Sequence, residues 1–349
     1  MLNQRHLFLV IFLFFTGCAE TLISVSVFPD ARYLMKIESQ GDKRDIYDKD
    51  FVLPTSDRWN IIEDQRLDSD SESPIFLRSA ESLLMGENLL GENGKFGSLR
   101  YPVSVEKKES FFSDTYVLTQ IFDGRGVDGK YPMLSKVLYN PGNKKSESIA
   151  QIEVVMYSLR KAMEDIGAEL NVKALIRERI LNHFNGVFFK AEEDKKLFEI
   201  LNDDGLEKVE PLTLPEELIR TNFRPFTDSL PKNFVDKSIV RMRKYLSEAN
   251  VTIQLNDDTF KFVAMLPGVI FRSNADSISN DSLWWKFDLK DFMNEPYTIE
   301  AASIVYYPQK IQQAVVLGAL IILIVLFLIT KRTVSYTHLR AKDTPINLV

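Results

Sequence analysis

Apolar and polar residues alternate along the first foldable stretch of the chain. Ile23, Val25 and Val27 are separated by Ser24 and Ser26, and Tyr33, Met35 and Ile37 then alternate with Lys36 and Glu38. A period of two buries one face of a strand, so residues 21–39 predict a β-hairpin turned by Pro29-Asp30. Residues 40–50 are highly charged and read as a loop. Residues 51–54 and 59–62 read as short apolar contacts on either side of a turn. Residues 101–106 and 115–122 read as further strands, followed by a flexible connection over 123–129.

The period changes near Ser146. Ile149, Ile152, Met156, Leu159 and Met163 recur every three or four residues, which predicts an amphipathic helix over 147–166. A second helix is expected over 172–184 through Leu175, Ile176, Ile180 and Leu181, and shorter ones at 192–202, 215–221 and 232–248. Such apolar stripes suit core packing better than an open groove. From Val251 the strand pattern returns, with 251–255 and 259–265 flanking Asn256-Asp257-Asp258 as a hairpin. Leu266-Pro267-Gly268 is a turn, 269–271 a short strand, and 277–279 pairs with 283–287 through Asn280-Asp281. The last strand is 297–307. The implied fold class is α+β: 18–145 and 251–309 supply one antiparallel β-rich domain, and the helical segment 146–250 packs on it or beside it.

Residues 314–329, AVVLGALIILIVLFLI, lie between Lys310 and Lys331-Arg332 and contain no polar side chain. About 20 residues at 1.5 Å each cover roughly 30 Å, the thickness of a hydrocarbon core. Backbone groups in that layer must pair within the segment, so 310–332 predicts one C-terminal transmembrane helix. A buried core helix would normally keep a polar face. The Lys331-Arg332 pair marks the cytoplasmic side, which leaves 18–309 facing away from the cytoplasm.

The 349 residues, 45% of them hydrophobic, suffice for a core of one or two domains. A net charge of −6 argues against nucleic acid as a partner. Cys18 is the single cysteine, so no intramolecular disulfide exists. Arg5 and His6 precede an apolar run from Leu7 to Phe15 and then Thr16-Gly17-Cys18-Ala19, the pattern of an export signal over 1–17. Phe15-Thr16-Gly17-Cys18 resembles the bacterial lipobox, with Phe15 where Leu is usual. That resemblance implies cleavage before Cys18 and acylation of its thiol. An ordinary signal peptide and an uncleaved anchor are the alternatives. Ala19 after the cysteine is compatible with outer-membrane sorting, whereas an apolar helix favours the inner membrane; the helix is the larger free-energy term. Val334–Ala341, VSYTHLRA, resembles the translation of a sequencing-library adapter, from which Lys342-Asp343 depart. Residues 334–349 are therefore expected to be a non-native tail.

Leu266-Pro267-Gly268-Val269, Ser273-Asn274-Ala275, the Asn280-Asp281 turn, Trp285 and a strand directly before an apolar helix together resemble the LppM-type family of bacterial envelope lipoproteins. The resemblance covers 266–329 and the signal, and leaves the helical middle as an insertion. It implies an envelope role and binding of lipid or glycolipid, with no catalytic residue to carry over.

Candidate chemistry is sparse. His6 and His338 belong to the signal and the tail, which leaves His183 as a structural histidine on a helix. Asp68, Asp70 and Glu72 alternate as in calcium loops but lack the glycine and distal Glu of an EF-hand, so 64–73 reads as a solvated acidic loop. Gly86, Gly91, Gly94 and Gly97 are not followed by Gly-Lys-Ser/Thr and read as a loop rather than a phosphate site. Trp284 and Trp285 cannot both point inward from one strand, so one of the two indoles is a candidate ligand or membrane contact. The expectation is a non-enzymatic, membrane-anchored envelope protein in the bacterial cell membrane, with no cofactor or metal. Its partners are membrane lipids, a glycolipid or another envelope protein. The alternatives are a carboxylate-dependent hydrolase of an envelope polymer and the outer part of a truncated single-span receptor. Asn250-Val251-Thr252 and Asn280-Asp281-Ser282 are glycosylation sequons that would matter in a eukaryotic source.

Overall fold

The computed structural model describes residues 19–47, 50–67, 74–91, 96–140, 144–193, 212, 214 and 216–340. The signal, Cys18, the acidic triplet Asp68, Asp70 and Glu72, most of the helix expected at 192–202, and 341–349 lie outside them. The first hairpin forms as its alternation predicts. β1 (Glu20–Val27) pairs antiparallel with β2 (Arg32–Gly41), every second residue facing the core. β2 pairs with β4 (Pro74–Asn88), and β3 (Asn60–Leu67) lies on the other side of β4. Asp64 to Leu67 are thus strand residues, not loop. On the opposite flank β1 pairs with β7 (Thr259–Met265), which carries β10 (Ser282–Asp288) and then β9 (Ser277–Ser279).

The last residues of β4 leave this limb and pair with β5 (Val103–Glu109), followed by β6 (Ser113–Phe122), β11 (Tyr297–Tyr306) and β8 (Val269–Ser273). The change of limb occurs at Gly86, whose φ of 66° belongs to the left-handed region that a glycine enters without a Cβ penalty. The eleven-stranded sheet of the described residues therefore curls, and its two limbs face each other. Tyr33, Met35, Phe260, Phe262 and Trp285 from one limb and Tyr116, Leu118, Phe122 and Ile299 from the other join one core. The fold class is α+β, as expected, with one correction. β1 and β7 run parallel, because the chain returns to β1 only after a crossover long enough to hold the other limb and the helices.

All the described helices except the last gather at one end of the curled sheet. After a short α1 (Lys43–Tyr47) come α2 (Val127–Lys130), α3 (Pro132–Tyr139), α4 (Lys144–Glu169) and α5 (Ala174–Glu193). Then follow α6 (Glu216–Phe223), a 3-10 turn (Arg224–Ser229), α7 (Phe234–Gln254), α8 (Leu289–Phe292) and α9 (Pro308–Arg340). α4 packs along α7, and Phe184 on α5 meets Phe223 at 4.9 Å. The strand expected over 251–255 is the last turn of α7. Val251 and Ile253 are β-branched but buried where helix meets sheet, and packing overrides propensity there. Arg125, buried after β6, locks that junction: its Nε donates to Thr252 Oγ1 at 2.9 Å and its Nη2 to Glu248 O at 3.0 Å.

Candidate functional site

The pairing registers give the curled sheet two distinct poles. At one, Ala19 O accepts from Thr259 N at 3.0 Å, Tyr297 stacks on Phe287 at 4.6 Å, and Arg125 joins sheet to helices. At the other, Val27 pairs with Tyr33 beside the first turn, and Tyr116 OH donates to Pro29 O at 2.7 Å across the limbs. The turn of β7 and β8 joins this second pole, where Ser303 Oγ donates to Pro267 O at 2.7 Å. Gly268 takes a φ of 85° there and lies against the Ile304 carbonyl. β11 ends at the same pole, and Tyr307 alone separates it from α9.

The surroundings of Tyr307 are the most organised part of this pole. Its N–H donates to Phe112 O at 2.8 Å and its hydroxyl to Asp114. Lys107 Nζ lies 2.9 Å from Asp114 and 2.8 Å from Glu109. The Tyr307 hydroxyl first, and then Lys107, hold the Asp114 carboxyl below the usual carboxylate range, and the same hydrogen bond raises Tyr307. Lys310 Nζ sits 4.2 Å from the Tyr307 ring centroid and 5.8 Å from that of Phe111. Phe111 and Phe112, edge to face at 4.9 Å, form the tip of the turn between β5 and β6. Phe111 is 68% exposed, Val269 64% and Tyr306 56%, and Phe28 in the first turn is also exposed.

α9 contains a segment, Pro308–Thr330, long and apolar enough to cross a membrane, with a mean hydropathy of 2.9 and none of it buried in the protein. A pocket among the described residues, lined by Gln309, Gln312, Gln313, Val316, Leu317 and Leu320, lies along this helix and holds no ionisable side chain.

The two tryptophans divide as their spacing requires. Trp285 is buried, its Nε1 donating to Asn274 Oδ1 at 3.0 Å and its ring edge-on to Phe262 at 5.5 Å. Trp284 is half-buried on the outer face of β10, in register with Val263 and Ser277. Asn274 also donates through Nδ2 to Thr298 O at 2.6 Å and accepts from Glu300 N at 2.9 Å, so it ties β10 to β11 where the curled sheet's edges meet. His183 faces Asn222 Oδ1 at 3.3 Å and the Phe226 ring at 5.5 Å, a packed helix-to-helix contact. Sequence reading missed Phe111 and Phe112, and gave Tyr307 and Lys310 only as the end of a strand and the cation before the span. Two phenylalanines where a tight turn normally holds Gly, Asn or Asp were the available signal.

No family model and no curated protein matches this chain. A solved structure it is similar to is the NMR structure of the folded domain of LppM from Mycobacterium tuberculosis, at 10% identity, covering 85% of this chain and 96% of that one with a TM-score of 0.29. So weak a superposition transfers no function.

Proposed function

We propose that this is an exported, single-span membrane protein of a bacterial envelope whose ectodomain binds or scaffolds rather than catalyses. The observation that carries the reading is the direct passage of a core strand into an apolar helix that the protein leaves unburied. A soluble protein exposing that surface would lose on the order of 25 cal/mol for each Å² left in water. The export-signal pattern before Cys18 supports the same reading, as do the residues that resemble the LppM-type family. The ligand class is lipid, glycolipid or another envelope protein, and Trp284 is the indole of its pair available for contact.

Acylation of Cys18 belongs to this proposal only under a geometric condition. Ala19 is buried at the pole opposite α9, and the eight residues of β1 at about 3.3 Å each separate the poles by roughly 25 Å. Lipid on Cys18 and α9 in one bilayer would therefore lay the β domain on its side. The test is fractionation: the full chain stays with membranes through an alkaline carbonate wash, and a variant lacking 309–330 in a Cys18→Ala background, which removes any acyl anchor, is released. Release of the full chain would end the proposal.

A further inference from the structure

We infer that the Phe111-Phe112 turn, with Phe28, Val269 and Tyr306 around it, seats in the headgroup boundary of the bilayer that α9 crosses, holding the β domain upright on that membrane. This deepens the proposed function and rests on its reading of α9. Three observations carry it.

The first is continuity. Tyr307 is the whole connection between β11 and α9, and its bonds to Phe112 O and Asp114 fix the turn beside the point where the helix begins. A turn so tied cannot lie far from the lipid surface if the helix spans it. The second is chemistry. Aromatic rings concentrate at the membrane–water boundary, where an apolar face and a polar edge are both satisfied. Phe111, Phe112, Val269 and Tyr306 are solvent-exposed in the protein itself, at turns and edges that water would normally select to be polar. Lys310, above the Phe111 and Tyr307 rings, has the placement of a cation whose stem lies in lipid and whose ammonium reaches headgroups. The third is charge. Glu109 and Asp114, the carboxylates flanking the turn, are both paired with Lys107, which reduces the desolvation either brings on approaching a bilayer. The pole needs no anionic lipid, and zwitterionic bilayers suffice.

The upright pose also orders the rest of the molecule. The helical layer and Ala19 sit at the far pole, away from the leaflet that holds the turn.

The experiment places a benzophenone amino acid at Phe111, at Leu175 on α5, or at Leu323 within α9, in the full chain reconstituted into phosphatidylcholine bilayers. Both Leu175 and Leu323 are exposed in the protein. After irradiation, mass spectrometry reads the fraction of protein carrying a lipid adduct. Expected are adducts from Phe111 and Leu323 at several-fold the level from Leu175. Adducts from Leu323 with both Phe111 and Leu175 at background would overturn the docking while leaving the span intact. Adducts from none of the three would overturn the span, and the docking with it. Equal adducts from Phe111 and Leu175 would show a side-lying domain and overturn the upright pose.

Discussion

Replacing Asn274 by alanine removes three side-chain hydrogen bonds at the place where the curled sheet meets itself. Two of them, to Thr298 O at 2.6 Å and from Glu300 N at 2.9 Å, are at exposed positions where water takes over part of the interaction, so each is worth about 0.5 kcal/mol. The third differs, because the Trp285 indole that donates it belongs to a residue only 1% exposed. Leaving that N–H without its acceptor costs about 1–2 kcal/mol. The expected sum is about 2–3 kcal/mol, or roughly 5–10 °C in Tm for a domain of this size. Thermal unfolding of the full chain in detergent micelles, followed by circular dichroism, measures it. The variant Trp285→Phe removes the donor and keeps an aromatic ring. In that background Asn274→Ala should cost about 1 kcal/mol less than in the parent, the coupling expected of residues in direct contact. A loss below about 0.5 kcal/mol with no coupling would refute the view that this asparagine joins the two limbs.

Gly268→Ala should destabilise by about 2 kcal/mol or more, since an added Cβ meets the Ile304 carbonyl and the residue holds a φ of 85°; the same melt reads it. Asp114 titrates below its unfolded value, so its contribution is present above the ordinary carboxylate range and is lost as pH falls through the lowered folded value. Asp114→Asn should therefore lower Tm at neutral pH and flatten its fall below about pH 4, and an acid limb unchanged by the substitution would contradict the assignment.

Much of the fold can be read from periodicity because most elements bury one face only. β1, β2 and β6 alternate cleanly, and α4 and α7 carry regular apolar stripes. β4 escaped notice because it has strand neighbours on both sides and changes limb at Gly86, so no single face keeps a period of two. α3 was signalled by Pro132 at its first position and by Leu134, Val137 and Leu138 at helical spacing, over two turns too short to show a period by themselves. Val251 to Ile253 misled because β-branched residues favour strands in isolation, whereas their burial at the helix-to-sheet junction decides for helix. The candidate site was partly legible. The opposed directions of Trp284 and Trp285 follow from strand geometry alone. The Asn274 network does not, since its partners lie 11 to 26 residues away and meet only when the sheet curls. The Phe111 turn was passed over because its meaning depends on Tyr307, far along the chain but adjacent in space.

The sidedness of α9 decides on which face of the membrane the β domain lies. Protease added to intact spheroplasts, with one epitope in the exposed loop at 231–233 and another after Thr333, reads it directly. Loss of the first epitope with survival of the second is the predicted result. Survival of the first with loss of the second would invert the topology, and loss of both without detergent would mean that α9 does not cross the membrane.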